Sequence, residues 1–134
     1  MSPTVVRPSV SALRDWLRTV PGVVAVAAQR VYIGPMPQAA PLPAVVVTRI
    51  GGGIADLPLD GVGVQLDCWA QTGVAAEALA SAVCRAVLST LPETTMGDGL
   101  TWMGGTITSI TWLPDPRDGT PRYVVRASLT MRMS

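Results

Sequence analysis

The run Val62–Ala70 (VGVQLDCWA) is followed after one residue by Thr72 and an alanine-rich stretch, and this junction restricts the fold more than any other segment. Alternation puts Val62, Val64, Leu66, Cys68 and Ala70 on one face and Gln65, Asp67 and Trp69 on the other, the two-residue period of a strand. Thr72 has the side chain to cap a helix. Ala76, Leu79, Ala80, Val83 and Val87 then recur at helical spacing to about Leu91, where Pro92 follows. A central strand leading directly into a helix is therefore expected.

The remaining elements follow from the same rules. Ser9 is placed to cap a helix from about Val10 to Val20, with Val10, Leu13, Leu17 and Val20 on one stripe and Pro21-Gly22 as its stop. Val23–Ala28 is short and apolar, and periodicity leaves it open between a helical turn and a strand. Arg30–Ile33 reads as extended, and Gly34–Pro43 as a stiff Pro-rich connection. Ala44–Ile50 (AVVVTRI) is a β-branched strand. Gly51-Gly52-Gly53 is expected to break it, leaving a mobile loop to Gly61.

Glu93–Gly99 reads as a loop, Leu100–Leu113 as containing a strand clearest from Thr106 to Trp112, and Pro114–Pro121 (PDPRDGTP) as a turn. In the last strand, Arg122–Met133, Tyr123, Val125, Ala127, Leu129 and Met131 face one way; Arg126, Ser128, Thr130 and Arg132 face the other. The expectation is one α+β domain over residues 1–134, with 1–7 an extended or frayed lead. Its order is α-β-β-α-β-β, its sheet antiparallel or mixed, and its two helices lie on one face.

Charge bounds the function. Only 14% of the 134 residues are charged and 49% are hydrophobic, against about 25% charged in an ordinary globular domain. Part of the surface must then be neutral or apolar, as contacts with other chains are. Lys, Asn, Phe and His are absent while Ala, Val, Gly and Pro abound, which reads as the codon bias of a GC-rich genome. The longest uncharged stretch, Val31–Thr48, holds Pro35, Pro37, Pro41 and Pro43 and does not suit a membrane span. No signal peptide is expected at the N-terminus, and the chain reads as soluble and intracellular. A net charge of +1 without a clustered basic face argues against a general nucleic-acid grip.

Candidate chemistry is sparse. Without histidine the commonest general base and most Ser or Cys triads are missing. Cys68 and Cys84 lack metal-ligand spacing and read as buried free thiols. Asp115 and Asp118 sit with Arg117 in a Pro/Gly turn, where aspartates ordinarily form turns. Gly51–Gly53 lacks the Lys-Ser/Thr of a phosphate loop, and Asp56 and Asp60 are too few for a calcium loop. No catalytic residue, cofactor or metal ligand is assigned.

The candidates are instead contact residues. Trp69 lies opposite the Leu66/Cys68 face, to be covered by distant parts of its own chain or by another subunit. Ala78 and Ala82 with Ala75 form a small-residue flank on the second helix that allows close approach of a neighbour, although alanine's helix propensity is the favoured account of it. Arg126 and Arg132 are placed to pair with acids such as Asp67 across an interface, against the default of solvated arginines. Arg117, on the turn, completes the candidate interface set.

The ordered set RVYIGPMPQAAPLPAVVV, VQLDCWAQT with its Ala-rich helix, and PRYVVRASLTMR resembles the tail-terminator, or tail-completion, proteins of long-tailed bacteriophages, the lambda terminator among them, over roughly residues 8–133. The resemblance implies a ring, usually of six copies, on the head-proximal end of the tail tube. Such a ring stops tube polymerisation and meets the head connector. It implies no enzymatic activity and no cofactor. The implied partners are further copies of the chain, tail-tube protein and a head-connector or neck protein. Phage DNA would pass through without sequence-specific binding, and no membrane is involved. The implied location is the virion tail and neck, with assembly in the host cytoplasm. The alternatives are a neighbouring connector subunit and, from another class, a small cytosolic enzyme or ligand-binding domain using Trp69 or the Asp115/Asp118 turn.

Overall fold

The computed structural model describes residues 9–37, 39–56, 59–90 and 100–133. The expected lead at 1–7 and the Glu93–Gly99 loop lie outside the described residues. The elements run α1 (Ser9–Leu17), α2 (Pro21–Ala27), β1 (Val31–Ile33), β2 (Ala44–Asp56), β3 (Leu59–Trp69), α3 (Gly73–Arg85), a π-helical turn (Ala86–Thr90), β4 (Leu100–Trp112) and β5 (Arg122–Met133). The α+β class and the mixed sheet agree with the sequence reading. The segment left open, Val23–Ala28, belongs to a short second helix, and β1 adds a parallel edge strand to the expected order.

The five described strands form one sheet in the order β1-β2-β3-β5-β4. β3 is central, as its alternation predicts, and pairs antiparallel with β2 and β5. β4 closes the other side as the antiparallel neighbour of β5. The helices cover one face. Leu13, Leu17, Val23, Leu79 and Val83 pack there against Val45, Val47, Val64, Leu66, Val125, Ala127 and Leu129 in a single buried cluster.

Local chemistry explains the helix boundaries. Thr72 Oγ1 accepts a hydrogen bond from the Ala75 N–H at 3.1 Å, the expected N-cap bond. The regular α3 ends at Arg85 and loosens into the π turn, which carries the helical stretch to Thr90; the expected end at about Leu91 lies outside the described residues. α1 ends at Leu17 rather than Val20, with the Arg18 and Thr19 amides bonded to Arg14 and Trp16 carbonyls. Pro21 does not simply stop that helix. It occupies the first turn of α2, where a missing N–H costs nothing.

The glycine triplet is also a correction. Gly51–Gly53 does not break β2, which runs on to Asp56 opposite β3. The triplet sits in a strand with register shifts between Arg49 and Gly51 and between Gly53 and Asp56. A glycine in a strand marks a bulge or close backbone approach as readily as a break. Here the Gly63 Cα faces the Gly51 backbone, and a Cβ on Gly63 would stand 3.4 Å from the Gly51 carbonyl carbon.

Two substitutions test this packing. Leu66, fully buried in the cluster, is expected to lose roughly 2–5 kcal/mol on change to Ala. A Cβ at Gly105 would overlap the buried Leu129 side chain and come within 3.1 Å of the Ser128 carbonyl. Gly105→Ala is therefore expected to cost about 1–3 kcal/mol. Urea denaturation reads both; an unchanged midpoint for either contradicts the packing described.

Candidate assembly surfaces

The face opposite the helices is only partly covered. Alternation turns Val46, Thr48, Asp67 and Trp69 toward it, and the Pro-rich connection and the β4–β5 turn rise on either side. Together they enclose an open groove of about 930 Å³. Trp69 lies in this groove half-buried, with the Arg122 guanidinium 4.8 Å from its ring centroid, within cation–π range. Its indole N–H is buried and finds no acceptor among the described residues.

The turn forming one wall is held by its own aspartates. Asp115 is 5% exposed. Its carboxylate accepts from the Arg117 backbone N–H at 2.8 Å and from the Arg117 side chain at 3.0 and 3.2 Å. Asp118 Oδ1 accepts from the Thr120 hydroxyl at 2.7 Å and the Thr120 N–H at 2.9 Å. These are side-chain-to-backbone turn bonds. The Arg117 hydrogen bond holds the Asp115 carboxyl below its ordinary range, and the Thr120 hydroxyl does the same for Asp118.

Asp67 has the opposite environment. Burial pushes its carboxyl upward, against the lowering effects of the Gln65 hydrogen bond and the Arg122 and Arg126 charges. Gln65 Nε2 donates to Asp67 Oδ1 at 3.0 Å, and Arg126 Nε donates to Gln65 Oε1 at 3.2 Å. Arg126 thus reaches Asp67 within one chain through a glutamine.

The candidate residues divide into three places. Asp67, Trp69 and Arg117 share the groove, with Arg126 linked to it by Gln65. Ala78 and Ala82 lie on the helical side, lining an open depression of about 550 Å³ with Val20, Pro21 and Val26. Arg132 is exposed at the far end of β5, opposite Leu59 and Thr101 in register, well away from Asp67.

A fourth surface was not singled out from sequence. Among the described strands β4 is at the edge of the sheet, and Ile110 and Trp112 stand 54% and 47% exposed on it. The signal was present: Leu100–Trp112 (LTWMGGTITSITW) has no charged residue and no proline. Its meaning depends on the strand order, which local pattern does not reveal.

Cys68 and Cys84 are buried free thiols, and burial raises both. Among the described residues no three His, Cys, Asp or Glu side chains gather as a metal site, and no helix is long and apolar enough to cross a membrane.

A mixed sheet with helices on one face, open edges and a half-covered second face defines a small α+β subunit with several surfaces suited to other chains. The model of the family described as Tail completion protein gp17 matches residues 11–132, and the chain belongs to that tail-completion family. It is a structural protein of the phage tail, located in the virion. The fold is similar to a chain in a structure described as the virion of a native gene transfer agent particle, with TM-score 0.62 and 17% identity over 91% of this chain and 92% of that one. No curated protein matches the sequence.

The two aspartates give opposite pH signatures. Asp67, raised in the folded state, favours folding in acid, and that contribution is lost as pH rises through its raised value. Asp115, lowered in the folded state, contributes above the ordinary carboxyl range and loses that contribution as pH falls through its lowered value. Denaturant midpoints at about pH 3 and 7 are expected to show Asp67→Asn gaining on the wild type at neutral pH and Asp115→Ala losing most there. Parallel pH profiles for all three proteins would refute both assignments.

Proposed function

We propose that this chain is the tail terminator: a ring, of six copies as the family resemblance implies, that caps the head-proximal end of the tail tube. The ring stops tube growth and provides the joint to the head connector, without enzymatic activity or cofactor. The observation that carries the reading is the placement of the two strand connections. β2 and β3 meet at the Asp56↔Leu59 pair, at the end of the sheet where Leu100 pairs with Met133. The β4–β5 turn, residues 113–121, stands at the opposite end, beside Trp69 and Trp112.

A terminator must offer unlike surfaces to tube and connector. A sheet with its two sets of loops at opposite ends does so once copies stand side by side with their strands along the ring axis. A heterologous contact that closes on itself gives a ring instead of a filament, and the sparse charge of the chain suits surfaces covered by neighbours. In this reading the partners are the chain itself, tail-tube protein and the head connector.

Electron microscopy of particles assembled without this protein distinguishes termination from its alternative. Overlong tails or free polytubes are expected. Tails of normal length that fail to join heads would identify a connector subunit instead.

A further inference from the structure

We propose that neighbouring copies join edge to edge, the outer edge of β4 in one copy pairing antiparallel with the outer edge of β2, from Thr48 onward, in the next. The proposal rests on the ring reading and names the surface that builds the ring.

Three observations carry it. First, β4 is a 13-residue strand at the edge of the described sheet, without a charged residue or a proline. Monomeric sheet proteins protect such edges with charges, prolines or covering segments, because unpaired backbone groups template pairing with another chain. β4 has no such charge, and its stretch from Leu100 to Ser109 stands level with the open part of β2 through the pairs Ser109↔Arg126, Gln65↔Arg126 and Thr48↔Gln65.

Second, the chain carries the complementary edge. β1 pairs with β2 only at Val45, Val46 and Val47. From Thr48 on, no described strand pairs with the outer side of β2, which continues to Asp56. Ile50 is exposed on this stretch.

Third, strand sense and curvature agree. β2 is antiparallel to β3, β3 to β5, and β5 to β4; β4 therefore runs opposite to β2. A copy rotated about an axis along the strands keeps its strand directions, so β4 meets the next β2 antiparallel, the commoner pairing. The register irregularities of the sheet fall on its outer long strands. They lie in β2 around Gly51 and Gly53, and in β4 between Trp102 and Gly104 and between Ile107 and Ser109. The β3–β5 ladder has none. Bulges and glycines curve a sheet and are found where sheets close.

The test is cross-linking of the full chain on purified tails. Thr48 and Thr106 are exposed, one on each edge. The double variant Thr48→Cys/Thr106→Cys is treated with a short bis-maleimide; Cys68 and Cys84 are buried with raised thiols and stay unmodified. The expected result is a denaturing-gel ladder of dimer, trimer and higher species, with each single variant giving monomer. A ring visible by microscopy but no ladder overturns the edge pairing and leaves the ring reading standing. Dimers from Thr106→Cys alone mean two-fold β4–β4 pairing and overturn the head-to-tail arrangement. No ring on the tails overturns both readings.

Discussion

The molecule is organised by the unbroken β3–β5 ladder. Eleven consecutive pairs run from Leu59↔Arg132 to Trp69↔Arg122 without irregularity. β3 alternates from Gly61 to Trp69 and β5 from Val125 to Arg132. Val62, Val64, Leu66 and Cys68 therefore share the helical face with Val125, Ala127 and Leu129, while Gln65, Asp67 and Trp69 share the other with Arg126 and Ser128. A one-residue slip would drive Asp67 and Trp69 into the core and expose Leu66. The cost of that exchange fixes the register, and the register places everything else. α3 lands on the core because it leaves β3 only three residues after Trp69, and the groove forms because Trp69 and Asp67 face away from it.

Elements governed by local rules were legible in the sequence. The alternation of β3 and β5, the Thr72 cap and the Asp-rich turn all depend on neighbours within a few residues, and each lies where the pattern puts it. Two readings failed because one residue type serves two purposes. Pro21 fits both the end of one helix and the first turn of the next. A glycine triplet fits both a loop and a bulged strand, and only the facing Gly63 backbone decides between them. The groove was half legible. Trp69 and Asp67 were flagged by their face, but their company, Arg117 from the turn and the Pro-rich wall, is assembled by chain segments far apart in sequence. The β4 edge was invisible for the same reason, since being an edge is a property of strand order.

Arg126 and Arg122 find partners within their own chain. Arg126 was placed opposite acids across an interface. The fold satisfies it within one chain through Gln65 and Asp67, and Arg122 is occupied by the Trp69 ring and the Leu113 carbonyl. The polar groups of the groove are therefore held in place by the fold itself. The buried Trp69 N–H is the exception, a donor with no acceptor among the described residues.

Sparse charge by itself is ambiguous, because a GC-rich genome favours Ala, Val and Gly whatever the protein does. The distribution of the charges is less so. Arginine and proline are themselves GC-favoured, and the chain spends ten basic residues, all arginine, and twelve prolines. Each of the other long strands carries charge: Arg49 in β2, Asp67 in β3, and Arg122, Arg126 and Arg132 in β5. β4 carries none. Codon bias acts on the whole chain and does not select one strand. The strand left bare is the long strand at the edge of the described sheet, where a monomer most needs a charge to keep other chains away. Codon bias accounts for a low overall charge but not for this coincidence of position and composition, which is a property of the fold.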